Sequence, residues 1–260
     1  MITQHNPTEN RPSKELKRLA RACLLGRYPV PIAAMLAAWF LPGVLLAPFS
    51  AGLTAQWNPS AVIYLLATGI IGLLGQLLTV NVTRIHILLG RKQQTSYQDL
   101  LWAFRNRPDR YLLAALLMGA MLLVPLVPVG AAVFLLIKDS SAGTWILTIV
   151  ILAAIAAELY LIFTYGLIYP IYLDHPQISV LEGFRTSRML MKGNRKRRFV
   201  LQLSLIGWQA LGMCSAGIGF LWIQPYLTQT VVNFYLDLTD GFEQKERTID
   251  DSRDAASVYG

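Results

Sequence analysis

The sequence has few charged residues, few cysteines and few histidines for its length. Only 15% of its 260 residues are charged, whereas 54% are hydrophobic, a balance far outside that of soluble globular domains. The composition therefore excludes a disordered chain and a soluble enzyme. The two cysteines, Cys23 and Cys214, are too few and too far apart for a disulfide framework or a metal cluster.

Patterns typical of catalytic and metal sites are also missing from the sequence. It has no phosphate-binding glycine-lysine loop, no histidine pair at zinc spacing and no glycine-flanked serine nucleophile. Asp174 and His175 precede Pro176 in a predicted turn, where adjacent side chains rarely face each other. We therefore expect no catalytic residue, no metal site and no cofactor, and we do not expect the protein to be an enzyme.

Five apolar stretches are long enough to cross a bilayer, which takes roughly 20 helical residues. They are Tyr28–Phe49, Ala61–Leu89, Tyr111–Ile137, Thr144–Leu173 and Phe199–Leu238. As one helix the last stretch would reach about 60 Å, twice the thickness of the hydrocarbon core, so it is expected to fold back at the glycines of 215–219. We predict an all-α membrane protein with six transmembrane helices, or five if this stretch does not fold back.

Positive charge is distributed unevenly among the segments that connect these spans. With six spans, 22 of the 23 Lys and Arg residues lie in or beside alternate segments, and only Lys138 lies on the other side. Cations near span ends are retained in the cytoplasm, so both termini are expected there. Residues 1–238 are expected to form a single domain in the cell membrane, and the acidic residues 239–260 a disordered cytoplasmic tail.

Three cytoplasmic segments share a plan with a period of 83 residues, set by Ser13, Ser96 and Ser179. After each serine, apolar residues recur at helical spacing, which predicts a short amphipathic helix. The expected apolar faces are Leu16, Leu19, Ala20, Cys23 and Leu24; Tyr97, Leu100, Leu101 and Phe104; and Val180, Leu181, Phe184 and Met191. A fixed period indicates a repeated unit, so we expect three copies of an interfacial helix followed by a transmembrane hairpin. The alternative is a coincidence of spacing among short basic loops.

Each repeat begins and ends with a recognisable pattern. Ser96 with Asp99, and Ser179 with Glu182, have the spacing of a capping box at a helix start. Each segment then ends in a base and an aromatic residue, a pair suited to the depth of lipid head groups. These pairs are Arg27-Tyr28, Arg110-Tyr111 and Arg198-Phe199.

Polar side chains inside the spans are the default functional candidates, because burying them in hydrocarbon is costly. Glu158 lies near the middle of the fourth stretch, where it could carry a proton or a cation, or hydrogen-bond between helices in protonated form. Gln76 could line a polar path or join two helices. Asn81 and Arg84 form a polar patch near the cytoplasmic boundary, and Arg84 is expected to reach lipid phosphates.

A basic run at 192–198 directly precedes the fifth apolar stretch. An anionic membrane surface attracts such charges, and nucleic acid is not expected because no aromatic residues interleave the run. The expected contacts to anionic lipid are Lys192, Arg195, Lys196, Arg197 and Arg198.

The C-terminal third carries four short motifs in a fixed order. They are SR-x-LMKG at 187–193, LS-x-IGW at 203–208, GIG-x-LW-x-x-PY at 217–226 and FY at 234–235. This order resembles a family of integral membrane proteins, mostly from Gram-positive bacteria, that is defined only as a domain of unknown function, family nine-seven-five. The resemblance implies a polytopic protein of the cell membrane with no settled activity.

These observations favour a non-enzymatic membrane component that recruits or supports partners or binds anionic lipid. Its expected partners are the bilayer, with anionic lipids on the cytoplasmic face, and an unidentified protein. A transport or export subunit that uses the intramembrane polar residues is the first alternative. An enzyme acting on lipid head groups is the second, and it would need a catalytic cluster.

Overall fold

The computed structural model describes residues 11–50, 59–136 and 141–258. No β-strand occurs in these ranges, which confirms the all-α prediction. Lys138, the cation expected opposite the others, lies outside the described residues. The helices, in chain order, are α1 (Ser13–Leu24), α2 (Pro29–Ser50), α3 (Pro59–Gly90), α4 (Trp102–Arg105), α5 (Pro108–Leu123), α6 (Leu126–Leu136), α7 (Ser141–Tyr165), α8 (Ile168–Asp174), α9 (Val180–Met191), α10 (Arg195–Leu203), α11 (Ile206–Cys214) and α12 (Phe220–Val258).

Within the described ranges, three helical segments are long and apolar enough to cross a membrane, and a bent pair of helices adds a fourth if it counts as one span. The three are Pro29–Phe49, Ala61–Gly90 and Gly143–Asp174, which match three predicted stretches. The bent pair, α5 and α6, turns through 41° at its break. Pro125 lies at this break, and a proline favours a bend there because it lacks an N–H group and its ring clashes with the preceding turn.

The fifth apolar stretch is divided among α10, α11 and α12. Helix α11 has only 9 residues, about 13 Å, so it cannot cross a bilayer by itself. Between α11 and α12 the chain turns through Ala216 and Gly217, whose φ angles of 53° and 86° are left-handed. The rings of Trp208 in α11 and Tyr226 in α12 lie 5.5 Å apart. The chain therefore reverses at 215–219, as the sequence predicts.

The described chain forms two compact units, each assembled from separate parts of the sequence. The first contains residues up to Leu36, Asn81–Leu100 and the residues from Lys196 onward. In it α1 packs against α12 and buries three apolar residues spaced four apart, Leu16, Ala20 and Leu24. This face of α1 is the one that helical periodicity predicts.

The second unit contains Ala37–Val80 and Leu101–Arg195. Its core lies where α8 and α9 meet, around the fully buried ring of Tyr172. The Tyr172 hydroxyl donates a hydrogen bond to the carbonyl of Val180, so a polar atom in this core has a partner. The Ser187 hydroxyl of α9 donates to the carbonyl of Thr164 in α7 at 2.8 Å, and both residues are buried. These bonds fix α9 against α7 and α8.

The second predicted amphipathic helix is wrong in detail. A 3₁₀ helix, Tyr97–Leu101, leads into the four-residue α4. The predicted apolar face of Tyr97, Leu100, Leu101 and Phe104 is not the packed one, because Tyr97 and Leu101 are exposed and Ala103 is fully buried. A 3₁₀ helix places residues three apart on one side, so an α-helical period selects the wrong positions.

Only one of the two hydrogen bonds of the capping box predicted at Ser96 is present. The Asp99 carboxylate accepts a hydrogen bond from the Ser96 N–H at 2.9 Å. The Ser96 hydroxyl accepts from the N–H of Gln98 at 3.4 Å, a local turn that competes with an α-helical start.

The third amphipathic helix, α9, agrees better with its prediction. Ser179 and Glu182 form the complete capping box, and Phe184 and Met191 are buried. Leu181 is exposed, contrary to its predicted place on the apolar face, because the packed face of α9 includes Gly183 and Ser187 instead. Small residues there let α9 approach its neighbours closely.

Helix α12 extends into the acidic segment 239–260 as far as Val258, and the disordered cytoplasmic tail stays a prediction for this segment. The segment continues α12, so no new helix nucleus is needed, and adding residues to an existing helix costs much less than starting one.

Candidate functional site

The candidate polar residues at the C-terminal end of α3 bind the segment that follows α3. The Asn81 side chain donates a hydrogen bond to the Leu100 carbonyl at 2.6 Å. The Arg84 guanidinium lies 3.5 Å from the Asp99 carboxylate. Asn81 is almost fully buried. Both residues therefore hold residues 99–100 in place. The sequence predicts that Arg84 reaches a lipid phosphate, but in the structure its ionic partner is Asp99.

Gln76 and Glu158 have different environments within the second unit. The Gln76 side-chain oxygen accepts a hydrogen bond from the Tyr169 hydroxyl at 3.1 Å, which is the helix-joining role that intramembrane amides commonly have. Glu158 is half-buried in α7, and its Oε1 has no hydrogen-bond partner among the described residues. Of these two candidates, Glu158 therefore retains an unused acceptor.

A buried polar network joins α3 to α12 in the first unit. The Gln229 side-chain nitrogen donates to the His86 carbonyl at 3.0 Å and to the Asn233 side-chain oxygen at 2.9 Å. The Gln229 oxygen lies 2.9 Å from His86 Nδ1. Because that oxygen can only accept, Nδ1 must donate and carry the proton of the neutral ring.

The same network reaches α1. The Asn233 side chain donates to the Leu16 carbonyl at 3.3 Å. His86, Gln229 and Asn233 are each at most 6% exposed. No role for Gln229 is predicted from the sequence. It lies 143 residues from His86, too far for a local sequence pattern to pair the two. Helices α1, α3 and α12 are thus joined by amide and imidazole groups that are buried away from water.

Arg110 lies in the interior, which corrects its predicted place beside Tyr111 at the lipid head groups. Arg110 is 6% exposed and Tyr111 is 3% exposed. The Arg110 guanidinium donates to the carbonyls of His175, at 3.2 Å, and Pro176. It also lies 4.7 Å from the centre of the Tyr172 ring, within the range of a cation–π contact. Arg110 therefore holds the turn after α8 by binding two of its backbone carbonyls.

The five residues of the basic run occupy four kinds of environment. Lys192 and Lys196 are exposed. The Arg195 guanidinium lies 4.7 Å above the ring of Tyr160. Arg198 is 7% exposed, and this burial lowers the pKa of its guanidinium to about 10, so it stays charged at neutral pH.

Arg197 is engaged in an internal ion pair. Its guanidinium bonds to the Asp237 carboxylate and donates to the carbonyl of Arg11 at 2.6 Å. The Arg11 side chain lies 3.6 Å from the same carboxylate. Asp237 is thus shared by two arginines from opposite ends of the chain.

Many other cationic residues are exposed, and their side chains form no hydrogen bond or ion pair with another described residue. On α1 they are Lys14 and Arg18, and on α9 they are Arg185 and Arg188. The exposed members of the set are Lys14, Arg18, Arg27, Lys92, Arg105, Arg107, Arg185, Arg188, Lys192 and Lys196. In the sequence they all fall in the segments that flank the apolar helices on one predicted side.

Acidic, cysteine and histidine side chains do not gather into groups of three or more that could hold a metal ion in the described part of the chain. Comparison with known proteins gives one family. The family described as protein of unknown function DUF975 matches residues 10–241 of the chain. No curated protein and no solved structure matches it. The match covers most of the chain, which therefore belongs to the DUF975 family.

Proposed function

We propose that this chain is a non-enzymatic protein of the cell membrane whose cytoplasmic basic face binds anionic lipid and supports a protein partner. The observation that carries the proposal is the set of exposed cations without ionic partners, all placed in segments next to apolar helices. Cations near an anionic leaflet gain attraction without losing an internal partner. Lys192 and Lys196, at the end of α9 and the start of α10, belong to this set.

Lipid binding is tested by thermal unfolding in nanodiscs. A lipid that binds the folded state raises the melting temperature by mass action. The purified chain should melt higher in discs that contain phosphatidylglycerol than in discs of phosphatidylcholine alone, and added salt should reduce the difference by screening. The double variant Lys192→Gln/Lys196→Gln should reduce it as well. Equal melting temperatures in the two kinds of disc would contradict the proposal.

The proposed topology has six spans with both termini in the cytoplasm, the fifth and sixth formed by residues 199–238. Support comes from the reversal at 215–219 and from the distribution of cations. A cysteine at Ile218, in a chain whose native cysteines are serines, should react with an impermeant maleimide on intact cells. A cysteine at Asp251 should react only after the cells are permeabilised. Labelling of Asp251→Cys from outside would instead support five spans.

A transport or export subunit is the second candidate, favoured by the unpartnered Oε1 of Glu158 in α7. An acid at membrane depth is the residue type that proton and cation pathways use. If Glu158→Gln abolishes a measured flux in vesicles while the protein still accumulates, transport is the better function. We expect no such flux loss.

The proposal that the chain is not an enzyme has its own test. Purified protein incubated with radiolabelled phospholipids should release no labelled product. Release of a head group or a fatty acid in proportion to protein concentration would show that the chain is an enzyme. Affinity capture from native membranes, followed by mass spectrometry, should recover a protein partner. Failure to enrich any protein over a matched control membrane protein would remove the partner from the proposal.

A further inference from the structure

A pocket of about 250 Å³ opens within the second unit, between α5, α7 and α9. Its apolar part consists of Leu117 and Met121 from α5, Tyr165 from α7, and Leu181 and Phe184 from α9. The remaining lining side chains are Arg185 and Arg188. The pocket thus has an apolar part and a cationic part.

The two arginines are available to a ligand. They lie three residues apart on α9, a spacing that places both side chains on one side of a helix. Both are exposed, and neither side chain forms a hydrogen bond or an ion pair with another described residue. No lining residue is acidic, and the nearby Glu182 carboxylate accepts the Ser179 N–H in the capping box. The positive charge of the pocket is therefore not neutralised by its own walls.

The walls of the pocket are held in place before any ligand arrives. The rings of Tyr165 and Phe184 lie 5.5 Å apart, and the buried bond from the Ser187 hydroxyl to the Thr164 carbonyl fixes α9 to α7. A pocket that needs little rearrangement loses less conformational freedom on binding.

The apolar part belongs to a candidate membrane span. Leu117 and Met121 lie about 14 and 20 Å along α5 from Pro108, at 1.5 Å per residue. Helix α5 is half of a bent candidate span, so we expect these two side chains at the depth of the lipid tails. Arg185 and Arg188 lie on the amphipathic α9, which follows a candidate span that ends at Asp174. A ligand that fills the pocket must therefore be charged at one end and apolar at the other.

We infer that this pocket binds one membrane phospholipid with an anionic head group. The phosphate lies between Arg185 and Arg188, where guanidinium groups provide paired N–H donors. An acyl chain lies along Leu117, Met121 and Phe184. This inference rests on the proposed function, and it adds that one lipid is held at a defined site, distinct from the lipids attracted by Lys192 and Lys196.

Native mass spectrometry of the detergent-purified chain tests the site. We expect the wild type to retain one phosphatidylglycerol in preference to phosphatidylcholine. The variant Arg185→Gln/Arg188→Gln should weaken retention by about tenfold or more, as the loss of charge-assisted hydrogen bonds to a phosphate implies. The comparison variant Lys192→Gln/Lys196→Gln removes the same charge from the basic face outside the pocket, so it should weaken retention clearly less than the arginine variant does.

A second variant tests the apolar part without changing charge. Met121→Trp fills the pocket and should reduce retention of phosphatidylglycerol while the circular dichroism spectrum stays that of the wild type. Unchanged retention in both pocket variants would overturn the inference. Equal losses in the arginine and lysine variants would overturn it too, but would leave the lipid-binding basic face standing.

Inorganic phosphate separates a lipid from a small anion. Millimolar phosphate should not displace the bound phosphatidylglycerol, because phosphate lacks the acyl chain. Displacement by phosphate alone would show a small-anion site and overturn the inference. The two experiments can also disagree. If one phosphatidylglycerol is retained but the melting temperatures in the two kinds of nanodisc are equal, the lipid site in the pocket is supported and the proposed function is contradicted.

Discussion

The ring of Tyr172 lies so close to Gly183 that a Cβ atom added to this glycine would stand 2.0 Å from the ring edge. Gly183→Ala must therefore push apart α8 and α9 in the core of the second unit. We expect the variant to lower the free energy of unfolding by about 1–3 kcal/mol, the usual cost of overpacking a core. Thermal unfolding of the detergent-solubilised protein, followed by tryptophan fluorescence, measures the loss.

Gly119→Ala is the matched control for this change. Gly119 lies in α5, and an added Cβ would meet no atom within 4 Å, so alanine should leave stability unchanged or raise it slightly through helix propensity. Combining Gly183→Ala with Tyr172→Leu should cost less than the sum of the two single changes, because both act on one contact. Additive costs would show that the Tyr172–Gly183 approach does not limit the packing.

Gln229→Leu tests the buried network that joins three helices. The leucine removes both donors and the acceptor of Gln229, and so leaves the His86 carbonyl, His86 Nδ1 and Asn233 Oδ1 without this partner. We expect a loss of about 1–3 kcal/mol, the cost of leaving buried polar groups unsatisfied. Unfolding in graded sodium dodecyl sulfate measures it.

The control for that variant is Gln224→Leu, on the same helix. Gln224 is half-buried and its side chain forms no hydrogen bond with another described residue, so its replacement should change stability by less than about 0.5 kcal/mol. If the two leucine variants unfold at the same detergent fraction, the network does not stabilise the first unit.

Asp237→Asn tests the carboxylate shared by Arg197 and Arg11. The Asp237 side chain is 7% exposed and the Arg197 side chain 17% exposed, so Asp237→Asn removes the negative charge that a mostly buried guanidinium binds. We expect a loss of about 3 kcal/mol in the same unfolding assay, as for other broken buried pairs. In the double variant Arg197→Gln/Asp237→Asn the second change should cost much less than the first, since no buried charge is then left alone. A fully additive double variant would argue against this pair.

The thiol of Cys23 should react slowly in the folded protein. Burial raises the pKa of this thiol despite the nearby charges of Lys92 and Arg27, which lower it. Alkylation requires the thiolate, so a raised pKa reduces the reactive fraction near neutral pH, and the rate should climb at higher pH than in the unfolded chain. Mass spectrometry of the Cys23 peptide after iodoacetamide treatment, with and without denaturant over pH 7 to 10, measures both profiles. Coincident profiles would contradict the effect of burial.

The sequence predicts features that depend on neighbouring residues and misses those that depend on distant ones. The buried face of α1 at Leu16, Ala20 and Leu24 follows from a local period, and the capping box of Ser179 and Glu182 follows from a spacing of three. Arg110 looks like an interfacial cation until the carbonyls that it binds, 65 and 66 residues later, are known. No local pattern reveals such a partner.

The same reasoning applies to the candidate site. An unequal distribution of lysine and arginine can be counted in the sequence, and this count predicts a basic face. Whether each cation already has a partner cannot be predicted in this way, because Arg197 and Lys196 are neighbours in a single run and the carboxylate that pairs with Arg197 lies 40 residues beyond it. The pocket lined by Arg185 and Arg188 was missed for a related reason: its walls come from three helices that are separated in the sequence.

The bond from the Asn233 side chain to the Leu16 carbonyl joins residues 217 positions apart. The ribosome makes α1 before the segment that binds it, which follows 217 residues later. Until that segment is made, the apolar face of α1 has no helix to pack against, and the nearest apolar environment for it is the membrane surface. In a chain that stops before α12, helix α1 would stay undocked. Its exposed apolar face would then distinguish incomplete chains from complete ones for the proteases of the cell.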